Sequence, residues 1–592
     1  IKLFALLTFL PNAQVSRKNR DETNDTREDA TRFRRLFNNK TMQSKTLKVH
    51  PEDNIAVALA TLAKGTAISN GLGAITLQET IPAKHKFALN DLEEHDDVVM
   101  YGVLVGKAVQ TISKGSLITT TNIKHASGAY TLKAGNTDWH KPDITKWQQR
   151  TFLGYHREDG SVGTANHWLI IPMVFCENKN VDALQEALLK ALGYKKNKSR
   201  YELITESLVE EYRSGRTADE ILNYAVVVEE KASEHQKIFS NIDGIKILNH
   251  TLGCAGTKDD TVALCGLLAG YITHPNVAGA TVLSLGCQNA QLTILEEEIH
   301  KRDEQFSKPL FLLEQQKIGN ETKMLEQATR QTFAGLMKAN ECERKPALLN
   351  KLCIGLECGG SDGFSGISAN PALGHVSDIM VALGGSVVLS EFPELCGVEQ
   401  NLSDRCVDDA TAEKFMHLMN TYHARAKAVG SGFESNPSAG NIRDGLITDA
   451  MKSAGAAKKG GTSPVTDVLD YPGKVRKPGL NLLCTPGSDI ESTTAEVGAG
   501  ANIVLFTTGL GTPTGNPVTP VIKISTNTNL YRKMNDIIDI DTGTIIDGIE
   551  TVEQAGERIF EYIIQVASGE VQAKANAASH DDFIPWKRGI SL

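Results

Sequence analysis

Densely spaced cysteine is missing from this sequence. Ten cysteines are scattered over 592 residues, which excludes a secreted disulfide scaffold and predicts reduced thiols in a cytoplasmic protein, some of them free to bind metal. A basic excess is missing too. Lys and Arg total 62 against 71 Asp and Glu, a formal net charge of -9, so no positive field is present to hold phosphate backbones and nucleic acid is excluded as a partner. Long apolar runs are also lacking. The stretch Ile1 to Leu10 carries a lysine, is far too short to span a bilayer and has no basic start of the signal-peptide kind, so no membrane partner is expected. No internal repeat recurs at a fixed period, which excludes a solenoid.

What remains reads as an α/β enzyme. Hydrophobic residues at 41% and charged residues at 22% are ordinary for a globular protein, and the length exceeds what one core serves, predicting about three domains. Residues 1–41 hold a charged stretch without packing pattern and read as a non-native or disordered extension, with Met42 opening the first orderly segment. Residues 42–130 carry short strand signals such as Ala67-Ile68 and Val98-Val99-Met100, with one helix expected over Asn54 to Ala63 behind an Asp53 cap. Residues 131–150 form a breaker-rich linker. Strand and helix patterns then alternate through a section at 151–340 and another at 341–592, which predicts α/β sheets.

Three cysteines each follow an apolar, strand-like run: Leu252-Gly253-Cys254, Leu285-Gly286-Cys287 and Glu357-Cys358-Gly359. At the carboxyl ends of strands, three thiolates would suit one ferrous ion or an iron-sulfur cluster; three buried small side chains would read the same way. The run from Cys358 to Gly374 is the sharpest segment. Its Gly360, Ser361, Ser365 and Asn370 suit an anion cradle that holds a carboxylate and reaches substrate hydroxyls, although a Gly-rich turn has the same composition.

Together these motifs resemble the altronate/galactarate dehydratase family. The blocks Gly154-Tyr155-His156-Arg157-Glu158-Asp159-Gly160 through Asn166, the three cysteine motifs, the Gly-rich run, Asn436-Pro437-Ser438-Ala439-Gly440-Asn441 and Phe506-Thr507-Thr508-Gly509 agree in order. The resemblance implies a small N-terminal β-clip (SAF-like) module followed by two α/β catalytic sections. In that module Lys84-His85-Lys86 resembles the family's Gly-His-Lys pattern, with Lys84 in place of Gly. Thr119-Thr120-Thr121-Asn122 stands where many altronate enzymes carry His-Thr-His-Asn, so no metal role of those histidines transfers.

The implied activity is metal-dependent removal of water from a sugar acid, D-altronate first, giving a 2-keto-3-deoxy acid. Galactarate or another 2-hydroxy acid is the alternative substrate. A non-catalytic sugar-acid-binding protein is the remote one, disfavoured because binding alone needs no acid, base and soft ligands together. Expected acid–base groups are His85, His250, Asp362 and Glu391, with Glu394 behind them; expected substrate contacts are Lys86, Arg157, Asn166 and the polar groups of the Gly-rich run. The expected metal is Fe2+ on Cys254, Cys287 and Cys358, with Mn2+ as substitute, and a homo-oligomer is left open.

Overall fold

The computed structural model describes residues 45–69, 74–135, 138–195, 198–227 and 236–592. The expected extension at 1–41 and the start at Met42 lie outside them. The N-terminal module pairs Ile55–Ala58 between Thr46–Leu47 and Lys86–Ala88, and Val103–Ala108 between Asp97–Met100 and Ile123–Lys124, all antiparallel. The helix expected over Asn54 to Ala63 is instead the strand Ile55–Ala58 and a following turn. Ile55, Ala58, Leu59 and Leu62 do recur at helical spacing, but Ala56 and Val57 are also buried. A run buried on both faces suits a paired strand, and periodicity alone does not separate the two for so short a segment.

Two parallel sheets follow, built by strand–helix alternation. The smaller has four strands, β1 (His167–Pro172), β2 (Gly244–Ile247), β3 (Val277–Ser284) and β4 (Leu310–Glu314), in the order β2-β1-β3-β4. The larger has seven: β5 (Cys353–Cys358), β6 (Ser386–Leu389), β7 (Val465–Leu469), β8 (Gly479–Leu483), β9 (Ile503–Thr508), β10 (Val521–Ser525) and β11 (Ile540–Asp541). Their order is β7-β8-β6-β5-β9-β10-β11. Every residue of β8, β9 and β10 is buried, as helices on both faces of a parallel sheet require.

Three joints fix the parts to one another. The chain enters the four-stranded section through Thr151–His156 and leaves through Arg344–Leu348, and these two strands pair antiparallel. Val57, Val98, Met100 and Val105 of the N-terminal module lie in the same apolar core as Leu356, Phe364 and Ile367, while a small cluster of its own, with Leu62, Ile75, Ile81 and Phe87, fills the rest of the module. Helix α1 (Lys258–Ile272), beside the smaller sheet, packs on α4 (Asp489–Ala499), beside the larger, while α2 (Ala369–Ala382) and α3 (Asp449–Ala456) lie near the carboxyl edge of the larger sheet.

The α1–α4 contact is backbone against backbone. A Cβ on Gly270 would sit 2.2 Å from the Gly498 carbonyl oxygen, and no flexible side chain stands between them to give way. Gly270→Val is therefore expected to separate the helices and cost about 1–3 kcal/mol. A thermal melt reads this as a lowered Tm, and an unchanged Tm would contradict the close packing.

Candidate functional site

In the larger sheet β5 lies between β6 and β9, and the chain crosses β5 between β8 and β9. Ligands of open α/β sheets collect outside the carboxyl ends at such a reversal. The loops leaving β5 and β9 meet there: Gly360, at φ +61°, accepts from the amides of Gly509 and Leu510 at 3.0 and 2.9 Å. Asp362 is fully buried and saturated. Its carboxylate accepts from Phe364 N (3.1 Å), Ser365 Oγ (3.2 Å), Thr526 Oγ1 (3.0 Å) and Asn527 Nδ2 (3.2 Å). Asn370 donates to Gly455 O and accepts from Thr507 Oγ1, and Ser361 O accepts from Asn441 Nδ2. The side chains of Asp362, Ser365 and Asn370 thus bond to the protein itself.

The N-terminal module reaches into this loop. Lys84 holds φ +75°, the left-handed conformation in which a Gly would be unstrained, and its Nζ bridges Asp362 at 3.0 Å and Asp444 at 2.9 Å. Its carbonyl oxygen lies 2.2 Å from where Gly363 would carry a Cβ. His85 is half-buried, its Nδ1 3.2 Å from Ala83 O, and burial lowers its pKa. Lys86 is wholly buried and donates to Gly445 O at 2.6 Å. Burial pulls its pKa down to about 7, against the attraction of Asp362.

The richest chemistry lies beside these loops, at the ends of β5 and β6. The Cys358 thiol donates to Glu394 Oε2 at 3.2 Å and Glu391 Oε2 at 3.4 Å. Lys459 pairs with Glu391 at 2.5 Å, and Lys452, on α3, pairs with Glu394 at 2.6 Å and donates to Asn436 Oδ1 at 3.0 Å. Burial, then Glu394, pushes Glu391 above the usual carboxylate range despite Lys459. Burial acts the same way on Glu394, but Lys452 and Lys459 outweigh it and hold this acid below its usual value. Burial and the neighbouring Glu391 drive Glu357 far above the usual carboxylate range. Glu391 also sits at φ +61°, a left-handed strain of about 1–2 kcal/mol of the kind that collects at functional sites.

A cavity of about 420 Å³ opens next to this cluster, lined by Thr120, His125, Glu434, Pro437, Thr448 and Asp449 among others. His125, Cys396 and Asp449 bring one ligating atom each to within 4.8 Å of one another, and so do Cys358, Glu391 and Glu394. The second group fits an ion poorly, because its two carboxylates are already paired with lysines. In the first, Asp449 is 1% exposed and its carboxylate has no well-formed hydrogen bond, its polar neighbour being the weakly donating Cys396 thiol. Burial, then Glu394, raises this acid well above its usual range.

Other expected site residues fall elsewhere. Among the described residues Cys254, Cys287 and Cys358 do not gather into one set of ligands within 4.8 Å. They end strands of different sheets: Cys254 and Cys287 are exposed on adjoining loops, where Ala290 N donates to Gly253 O, whereas Cys358 is buried. His250 uses both ring nitrogens, with Nε2 2.8 Å from Pro172 O and Nδ1 accepting from Leu252 N, and burial lowers its pKa to about 4. It fixes the Cys254 loop. Arg157 donates to Pro275 O and Asn166 Oδ1, both at 2.8 Å, and Asn166 in turn donates to Asn241 O, so this pair ties the smaller sheet together. Lys452, Lys459, His125 and Asp449 escaped the sequence reading. Helix α3 and the turn after it read as a small-residue, amphipathic segment, and nothing marks their lysines as buried.

A parallel α/β scaffold with paired acids and lysines at its strand ends and a polar cavity beside them defines an acid–base enzyme. The chain belongs to the altronate/galactarate dehydratase family. Residues 44–126 match the altronate/galactarate dehydratase SAF domain, 154–340 the second domain of D-galactarate dehydratase/altronate hydrolase, and 349–591 the C-terminal domain of D-galactarate/altronate dehydratase. Over 554 residues it is 34% identical to altronate dehydratase of Escherichia coli (strain K12), covering 92% of this chain and 99% of the relative. Altronate dehydratase of Bacillus subtilis (strain 168) is 33% identical over 548 residues, with the same coverage. Galactarate dehydratase (L-threo-forming) of E. coli is 30% identical over 528 residues, 88% of this chain and 93% of the relative.

The Lys86 clasp has a pH signature. Between about pH 7 and its ordinary value of 10.5, the unfolded chain holds a proton that the folded chain does not, so stability rises with pH across this window. One such group contributes about 1.4 kcal/mol per pH unit. Urea melts at pH 7.5 and 9 are expected to show a smaller rise for Lys86→Met than for the unaltered protein. Equal rises would place no neutral amine at this site.

Proposed function

We propose that the protein removes water across C2 and C3 of D-altronate to give a 2-keto-3-deoxy acid. Near-complete alignment with two altronate dehydratases carries this reading, and the buried acid–lysine pairs beside a polar cavity support it. Taking the C2 proton of a carboxylate yields an enediolate with two negative charges, so the site must supply a base, a proton for the leaving C3 hydroxyl and compensating cations. Glu394, held ionised, is the base in this reading. Lys452, bonded through Asn436 to the cavity wall at Pro437, and Lys459 behind it supply fixed positive charge in a water-poor site, where it is most effective. Lys124 on the cavity wall is the partner for the substrate carboxylate.

Metal dependence is part of the proposal, with Fe2+ first and Mn2+ as substitute. When bound, such an ion supplies Lewis acidity toward the carboxylate and its neighbouring hydroxyl. All ten cysteines are unpaired, and among the described residues no helix is long and apolar enough to cross a membrane; the unpaired thiols support a cytoplasmic site of action. Galactarate is the second reading, favoured by the 30% identity to a galactarate dehydratase.

Anaerobically purified protein with added Fe2+, given a panel of aldonates and aldarates, is expected to form 2-keto acid fastest from altronate. Preference for galactarate would move the assignment to the second reading, and no product from any of them would end both. Glu394→Gln is expected to lower kcat by roughly 10²–10⁴-fold with an unchanged circular dichroism spectrum. Unimpaired turnover would remove Glu394 from the chemistry.

A further inference from the structure

We propose that His125, Cys396 and Asp449 form the binding site for one divalent transition-metal ion of borderline softness, the class of ferrous iron, zinc and cobalt. The three ligands come from three separately positioned elements. His125 follows the last strand of the N-terminal module, Ile123–Lys124; Cys396 ends the turn Phe392–Leu395; Asp449 is the first residue of α3. Thr448 caps that helix by accepting from Met451 N and also donates to Val105 O of the module, which locks Asp449 against the module. Ligand atoms around a four-coordinate ion with bonds of about 2.0–2.3 Å are about 3.5 Å apart. A group already within 4.8 Å closes on an ion through side-chain rotation.

An independent observation points the same way. A carboxylate 1% exposed whose one polar neighbour is the Cys396 thiol, a weak donor and itself a proposed ligand, lacks the strong partners that buried acids ordinarily have. The nearby groups Glu394, Glu399, Glu434 and Cys396 add acidity rather than cations. Lys452, one turn along α3, is committed to Glu394. The cavity supplies the open coordination position that catalytic ions keep for water or substrate. A nitrogen, a sulfur and an oxygen donor together select a borderline ion over Mg2+ or Ca2+, which prefer oxygen alone. The ion's use in catalysis rests on the dehydratase reading, whereas its binding does not.

The test uses the full-length, metal-free protein under anaerobic conditions, titrated with Co2+ in the absence of substrate. One equivalent is expected to bind with a near-ultraviolet thiolate-to-cobalt charge-transfer band. Cys396→Ser is expected to abolish that band and weaken binding by more than about 100-fold, since even outer-sphere partners cost 10–100-fold. Cys358→Ser is expected to keep it. Asp449→Asn and His125→Gln, with circular dichroism as a fold control, are each expected to weaken Co2+ binding at least tenfold, Mg2+ being no competitor. Absence of Co2+ binding by the unaltered protein, a band that survives Cys396→Ser, or one lost with Cys358→Ser would overturn the assignment. Because no substrate is present, failure to turn over altronate would leave this outcome untouched.

Discussion

Buried charge at the carboxyl edge of the seven-stranded sheet constrains everything around it. Glu391 and Lys459 are each 1% exposed, Glu394 is 2% exposed and Lys452 9%. An ion moved into such surroundings loses several kcal/mol of solvation, and only a well-placed opposite charge offsets this. The ends of β5 and β6, helix α3 and the turn after it must therefore keep a register that puts each ammonium on its acid. The shared apolar core explains how they do so: residues of the N-terminal module, of β5 and of α3 pack into one cluster, so the module cannot shift without disturbing the charges.

In the function proposed above, the same arrangement separates two tasks that the sequence suggests for one set of residues. Asp362 and the Gly-rich loop, spent on internal hydrogen bonds and on Lys84, work as the seat of the module. The acids available for chemistry lie one strand over, on the turn that begins with the strained Glu391. A pair with its cation fixed in place before reaction is what an enediolate requires, since no reorganisation is then needed as charge develops. The lone carboxylate of Asp449, left without a cation by the same packing, is the complementary feature.

Much of the architecture was legible because its signals are local. Apolar runs mark β1, β3, β5 and β9, the last three followed closely by Gly, and alternation with helices implies parallel sheets. The strand at Ile55–Ala58 was misread because small apolar residues fit two periods at once. Cys358 and Glu391, both named from sequence, do lie side by side, while Cys254 and Cys287 were grouped with Cys358 on a shared motif that sequence cannot assign to one sheet or another. Lys452, Lys459, His125 and Asp449 gain their meaning from burial and from partners far along the chain, such as Lys84 with Asp362, and no spacing rule carries that information.

The proposed chemistry centres on the cavity between the N-terminal module and the segment from Glu434 to Asp449, near Glu394 and Lys452. A crystal structure with altronate bound tests it most directly. The sugar acid is expected within the cavity lined by His125, Glu434 and Thr448, its reacting carbons on the side of Glu394 and Lys452. Altronate bound instead over the exposed Cys254 and Cys287 loops of the four-stranded sheet would contradict it.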